Sequence, residues 1–154
     1  MEEITIRTAT LDDIDVLAYH RRAMWLDMGR DEAALATVEP VAREYFTHAL
    51  PNGGYRGFLA ITTAGKVVGG GGIVISDWPG LLNQRQPKRA MILNMYVEKE
   101  YRRRGIARRL METMIAWCRE NDFANVGLHA SDEGRPLYEK LGFRATNEMR
   151  LDLT

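Results

Sequence analysis

The run Met95-Tyr96-Val97-Glu98-Lys99-Glu100-Tyr101-Arg102-Arg103-Arg104-Gly105-Ile106-Ala107-Arg108-Arg109-Leu110 concentrates residue types that bind anions. It reads as a strand end, an arginine-rich loop, and a glycine that opens an amphipathic helix. At a helix start the backbone N–H groups lack intrahelical acceptors and the macrodipole is positive. Gly105 and the small Ala107 let a ligand come close to that backbone. Such a start suits a phosphate or pyrophosphate, and arginines add charge-assisted hydrogen bonds. Charge alone would make residues 102–109 a solvated basic surface, since five of the eight are arginine. Their placement between strand and helix favours the anion site.

Other chemistries find little support. Cys118 is the single cysteine, which excludes an internal disulfide and a cysteine metal cluster; its apolar mid-helix setting suggests a buried small hydrophobe. His20, His48 and His129 are scattered without metal-ligand spacing, so no metal is expected. No G-x-S-x-G elbow is present. Gly69-Gly70-Gly71-Gly72 is not followed by Lys-Ser or Lys-Thr and sits among apolar strand residues, so it reads as a bulge or a close backbone approach.

The elements that must position the loop follow from periodicity. Ile4–Arg7 alternates as a first strand, and Thr10-Leu11-Asp12-Asp13 resembles a capping box. Ile14, Leu17, Ala18, Trp25 and Met28 recur at helical spacing up to Gly29. A second helix over Asp31–Leu50 is expected to break near Glu39, ahead of Pro40, with a turn at Pro51–Gly54. Strands are expected over Gly57–Thr63 and Lys66–Ile75, joined by Ala64-Gly65, with a third over Ala90–Val97. Ile106–Asn121 is a helix, Asn125–Ala130 a strand, Arg135–Leu141 a short helix and Arg144–Leu153 a last strand. Hairpins first and a βαβ crossover later indicate an α/β sheet of mixed direction.

A single domain over 1–154 is the natural reading of 154 residues, with 45% hydrophobic and 27% charged residues. Twenty-one Lys and Arg balance twenty-one Asp and Glu, so no global charge argues for nucleic acid or an anionic membrane. Nucleic-acid binding through Arg102–Arg109 would need a steep salt dependence, and no DNA- or RNA-binding motif accompanies those arginines. No stretch approaches the roughly eighteen apolar residues of a membrane span. Met1-Glu2-Glu3 is acidic and lacks an apolar signal region, so a cytoplasmic protein is the expectation.

Arg102-x-x-Gly105-x-Ala107 resembles the Q/R-x-x-G-x-G/A signature of the GCN5-related N-acetyltransferases, the GNAT superfamily. Downstream, Leu128-His129-Ala130-Ser131-Asp132-Glu133-Gly134-Arg135-Pro136-Leu137-Tyr138-Glu139-Lys140-Leu141-Gly142-Phe143 resembles the second signature of that family. The match covers essentially the whole chain, most strongly residues 90–143. The resemblance implies the GNAT fold, a mostly antiparallel mixed sheet flanked by helices and splayed at an acetyl-CoA slot. It implies transfer of the acetyl group of acetyl-CoA to a primary amine of a small molecule or polypeptide, by direct attack in a ternary complex.

On that resemblance the pyrophosphate sits on the amides of Arg103, Arg104, Gly105, Ile106 and Ala107, with Arg102 and Arg108 nearby. Met95 and Val97 offer backbone groups to the pantetheine, beside a bulged strand. Where many relatives have Asn and Ala before the tyrosine, this chain has Ser131 and Gly134; Ser131 can still hydrogen-bond the pantetheine. Tyr138 occupies the position of the family's proton donor to the departing CoA thiolate. The plain alternative is an amphipathic residue burying its ring beside Leu137 and Leu141. Glu98, Asp77 and His129 are candidates for a base. The acceptor pocket would be walled by Tyr19, His20, Arg22, Trp25, Tyr45 and Trp78. Relatives are often dimers, so a homodimer is a further expectation. From a different class, a non-catalytic acyl-CoA-binding module would keep the loop without the chemistry.

Overall fold

A computed structural model describes residues 2–154. The elements are β1 (Ile4–Thr8), α1 (Ile14–Asp27), α2 (Glu32–Asn52), β2 (Tyr55–Thr62), β3 (Val67–Asp77), β4 (Lys88–Val97), α3 (Ile106–Glu120), β5 (Gly127–Leu128) and α4 (Arg135–Lys140). They form one sheet in the order β1-β2-β3-β4-β5, antiparallel except for the parallel β4–β5 pair. No helix among the described residues is long and apolar enough to cross a membrane.

Local chemistry sets the helix entries. The Asp13 carboxylate accepts from the Thr10 N–H (2.7 Å) while the Thr10 hydroxyl accepts from the Asp12 N–H (3.3 Å), closing the capping box ahead of α1. Arg7 grips the same carboxylate through both terminal nitrogens at 2.7 and 2.8 Å, which holds Asp13 below the usual carboxylate range. For α2, Asp31 caps the Ala33 N–H (3.3 Å), and Gly53 ends the helix in the left-handed region at φ +83°.

The expected break at Pro40 does not occur; α2 runs unbroken from Glu32 to Asn52, and Pro51 also lies inside it. Pro40 and Ala36 are both on the exposed side, so the carbonyl that loses its helical partner faces water. Leu35, Ala42, Phe46 and Ala49 meanwhile bury the opposite side. A helix-interior proline costs about 3 kcal/mol, and burying side chains such as Leu35 and Phe46 at about 1.5–3 kcal/mol each offsets it.

Side chains on the two sheet faces form two cores. On one face α3 inserts Ile106, Leu110, Met111, Met114 and Cys118 against Phe58, Ala60, Val68, Ile73 and Ile92. On the other, Leu17 of α1 and Ala42, Phe46 and Ala49 of α2 cover Tyr55 and Leu59. The glycine run in β3 fits large neighbours between the layers. A Cβ at Gly71 would fall 2.9 Å from the Met114 Cε, and one at Gly72 would fall on the Tyr55 hydroxyl. Burial pushes the Cys118 thiol up to about 11, as suits a core side chain.

Two late strands depart from expectation. β5 pairs over Gly127–Leu128 alone, not Asn125–Ala130. Residues 144–154 form no ladder, so the last expected strand is absent as paired structure. The alternation that suggested it is real, but Met149, Leu151 and Leu153 are 93%, 80% and 88% exposed: no surface of this chain buries them.

Candidate active site

β4 carries the irregularity that shapes the site. Gly70 pairs with Tyr96 and Gly72 with Leu93, so β4 holds one extra residue across that step. Asn94, inside this bulge, is buried and left-handed at φ +65°, a conformation asparagine tolerates better than most residues. Its Nδ2 donates to the Leu17 carbonyl of α1 at 3.2 Å, and its Oδ1 accepts from Arg21 at 3.4 Å. On the other side, β4 pairs with β5 at Met91–Gly127 and Ile92–Leu128 and no further. From Leu93 onward the two strands have parted, leaving a slot.

Met95 and Val97 follow on β4 beyond its last pair with β5, and their side chains pack against the α3 core. The Glu98 N–H donates to the Val68 carbonyl at 2.9 Å, so by strand alternation the polar groups of Val97 face away from β3. The Val97 carbonyl accepts from the Arg102 Nε at 2.8 Å.

The loop then turns sharply into α3. Arg103 (φ +63°) and Gly105 (φ +80°) are both left-handed, and the first helical bond runs from the Arg109 N–H to the Gly105 carbonyl at 3.1 Å. The N–H groups of Ile106, Ala107 and Arg108 therefore have no helical acceptor. No acidic residue stands in the first turn to offset the dipole. Ile106, 3% exposed, fixes this end of the helix in the core.

The arginines divide their work. Arg102 also binds Asp27 at 2.6 Å and lies 5.5 Å over the Tyr96 ring, tying the loop to α1. Arg108 pairs with Glu112 at 2.7 Å, and Arg109 donates to the Ile4 carbonyl at 2.7 Å. Arg104 rests on Tyr101 at 4.9 Å, and Arg103 is exposed. The last two leave their guanidinium donors to solvent beside the open amides.

Downstream of β5, Ser131 organises the start of α4. Its hydroxyl accepts from the Gly134 N–H (3.1 Å) and its carbonyl from the Arg135 N–H (3.0 Å). One turn on, Tyr138 folds its ring back over Gly134, where a Cβ would meet the ring at 2.8 Å and the hydroxyl at 3.0 Å. The small residue at 134 thus accommodates the tyrosine itself. Phe143 closes the other side at 6.1 Å between ring centres. Partial burial raises the Tyr138 pKa, so the phenol keeps its proton at neutral pH.

The three candidate bases are not brought together. The Glu98 Oε1 accepts from the Tyr19 hydroxyl at 2.7 Å beside the end of β4. Asp77 pairs with Lys88 at 2.5 Å at the opposite end of that ladder, and His129 is exposed beyond β5. Among the expected pocket residues, Tyr19 and His20 gather on Tyr96, Tyr45 meets Tyr55, and Trp78 stacks on Arg89. His20 is buried and pushed down to about 4, a neutral core histidine. Among the described residues no His, Cys, Asp or Glu cluster could hold a metal ion. Sequence reasoning passed over Asn94 and Arg21. The signal for Asn94 was available, as the lone amide in the apolar run Ala90–Val97.

The sequence model of the acetyltransferase (GNAT) family matches residues 20–143. The chain belongs to the GNAT family. A GCN5-related N-acetyltransferase from Ralstonia eutropha JMP134 superposes with a TM-score of 0.91 at 33% identity, over 98% of this chain and 99% of that one. A Clostridium acetobutylicum predicted acetyltransferase, solved with acetyl-CoA, gives 0.88 at 26% identity over 98% and 97% of the two chains. Human N-acetyltransferase 8 is 31% identical over 86 residues, 54% of this chain and 36% of that protein. The chain thus spans about a third of that curated relative's length. The expected fold stands: an α/β structure with a mixed, mostly antiparallel sheet between helices, splayed beside β4.

Proposed function

We propose that this GNAT chain is an acetyl-CoA-dependent N-acetyltransferase acting on a primary amine. The observation that carries the reading is the anion-ready start of α3, which follows the open end of β4 by way of the arginine loop. Three amides without helical acceptors, no acidic residue in the first turn, and the uncommitted guanidiniums of Arg103 and Arg104 fit a pyrophosphate. The amides of Arg103, Arg104, Gly105, Ile106 and Ala107 would hold it. Arg102 shapes the loop, and Arg108 flanks it from the first turn. Met95 and Val97 would line the pantetheine arm, with Ser131 across the slot.

Bound acetyl-CoA supplies an activated acyl group as a thioester. The amine attacks its carbonyl directly, since Cys118 is buried with a raised pKa and cannot serve as a carrier. As the C–N bond forms and the C–S bond breaks, the departing thiolate takes the phenolic proton of Tyr138, the acetylated nitrogen gives its proton to water, and water reprotonates the phenolate. The test combines acetyl-CoA binding by calorimetry with mass-spectrometric identification of acetylated products from a metabolite and peptide panel. Acetyl-CoA binding without any acetylated amine would leave a non-catalytic acyl-CoA-binding module instead.

A homodimer belongs to the same reading, supported by residues 148–154. A two-fold axis at Leu151 would pair Met149 with Leu153 on one face and Arg150 with Asp152 on the other. Both the apolar surface and the charges are self-complementary in that register.

A further inference from the structure

The acids along the α1–α2 face are nearly all matched. Arg22 takes Glu32 and lies 3.9 Å from Glu39; Arg43 takes Asp15 at 2.6 Å and Glu39 at 3.6 Å; Arg102 takes Asp27 at 2.6 Å. Arg21 is the cation left over. It is half-buried on α1, 5.0 Å over the Trp25 ring, and its only protein acceptor among the described residues is the Asn94 Oδ1 at a long 3.4 Å. Burial lowers its pKa from the ordinary arginine value, yet a guanidinium remains charged. A partly desolvated cation with most of its donors unused is a weak structural device but a strong receptor for an anion.

Its location says which anion. Asn94 is the bulge residue of β4, two positions beyond the last β4–β5 pair at Ile92. The guanidinium therefore stands one side chain away from the point where the slot opens, on the α1 face. The Tyr55 hydroxyl is buried over Gly72, in the register of Leu93 on the same face of the sheet. Glu39 shares the crevice between α1 and α2 with Arg21, but Arg22 and Arg43 flank its carboxylate.

The geometry points to Arg21 as the anchor for a carboxylate carried by the acceptor, so that the acceptor is a free amino acid with its amine a few bonds from its carboxyl group. A polyamine would add positive charge beside Arg21. A lysine side chain within a peptide has no carboxylate at that distance, and a peptide N-terminus has one only where its first residue is Asp or Glu. Arg21 binds and orients the carboxylate; Asn94 positions Arg21 by accepting from it while tied to the Leu17 carbonyl.

This inference rests on the acetyltransferase reading, and the experiment separates the two. Initial rates of thiol release from acetyl-CoA are measured with the common L-amino acids, their carboxamides, the matching decarboxylated amines and dipeptides. At least one free amino acid is expected to exceed its carboxamide and amine by about ten- to a hundredfold in kcat/KM, the range of one charge-assisted hydrogen bond. Arg21→Met is expected to erase that preference, mainly through KM, with acetyl-CoA affinity and thermal melt retained; Arg21→Lys is expected to restore part of it. Amines acetylated without regard to the carboxylate, no free amino acid acetylated, or an Arg21→Met variant that slows acids and carboxamides alike would each overturn the proposal. Failure to bind acetyl-CoA would bring down the broader reading itself.

Discussion

Tyr138 occupies space that Gly134 leaves open, and its hydroxyl has no hydrogen-bond partner among the described residues. Binding and chemistry can therefore be separated at this residue. Tyr138→Phe keeps the ring against Gly134 and Phe143, so the fold and acetyl-CoA affinity should persist. Turnover should fall about ten- to a thousandfold, the general-acid range with some rescue by water. Steady-state thiol release beside calorimetry and a melt checks this; unchanged turnover in a folded variant would remove the acid role. His20 offers a test of stability at the same scale. Its folded pKa of about 4 lies below the ordinary 6.5, so the unfolded chain binds the extra proton first as pH falls. The stability gained from neutral burial is complete above pH 6.5 and is lost progressively towards pH 4. Tyr19, Tyr96 and Glu98 surround the ring, and the Glu98 charge opposes the shift without cancelling it. Between pH 6.5 and 5 the loss should reach about 2 kcal/mol. Urea titrations should show that slope, and His20→Gln should flatten it.

At the scale of elements, the proposed pyrophosphate site is the backbone of the turn into α3, so it should be most sensitive where a side chain blocks the amides. Gly105→Glu adds bulk and negative charge there and should abolish measurable acetyl-CoA binding by calorimetry. Gly105→Ala is the control for strain: the left-handed φ of +80° costs a non-glycine residue about 1–2 kcal/mol, without the charge. Equal binding by the Glu variant and the parent would misplace the pyrophosphate. This turn was legible in the sequence because its determinants are local: a strand end, arginines, a glycine, then a helix period. The path of α2 was less so. Proline predicts a break from backbone chemistry alone, whereas the outcome depended on whether Ala36 and Pro40 faced water, a tertiary fact. Asn94 escaped notice for a related reason. An amide within an apolar strand can be a bulge or a tolerated edge residue, and only the register of β3 against β4 distinguishes them. The slot was likewise implied by resemblance alone, since the two-residue β4–β5 ladder leaves no mark in the alternation of either strand.

For the whole molecule, the proposed dimer rests on residues 144–154, which join no ladder of the sheet. Placing Met149, Leu151 and Leu153 in water in a protein with no net charge favours self-association. Sedimentation equilibrium should give a dimer, and Leu151→Asp, which puts two carboxylates on the proposed axis, should shift it to monomer. A monomeric parent at micromolar concentrations would exclude the pairing. The parting of β4 from β5 has a different consequence. Unpaired strand backbone invites other chains to add to the sheet, which is a common route to aggregation. In this fold β4 is an interior strand, with β3 along one side and β5 on the other at Met91–Ile92. Another polypeptide would have to thread between β4 and β5 to reach it, while a slender molecule could enter lengthwise. The protein thus keeps a reactive sheet edge open to solutes and closed to its own kind, and hydrogen exchange should find Leu93–Val97 labile in a strand whose other side, facing β3, is among the best protected.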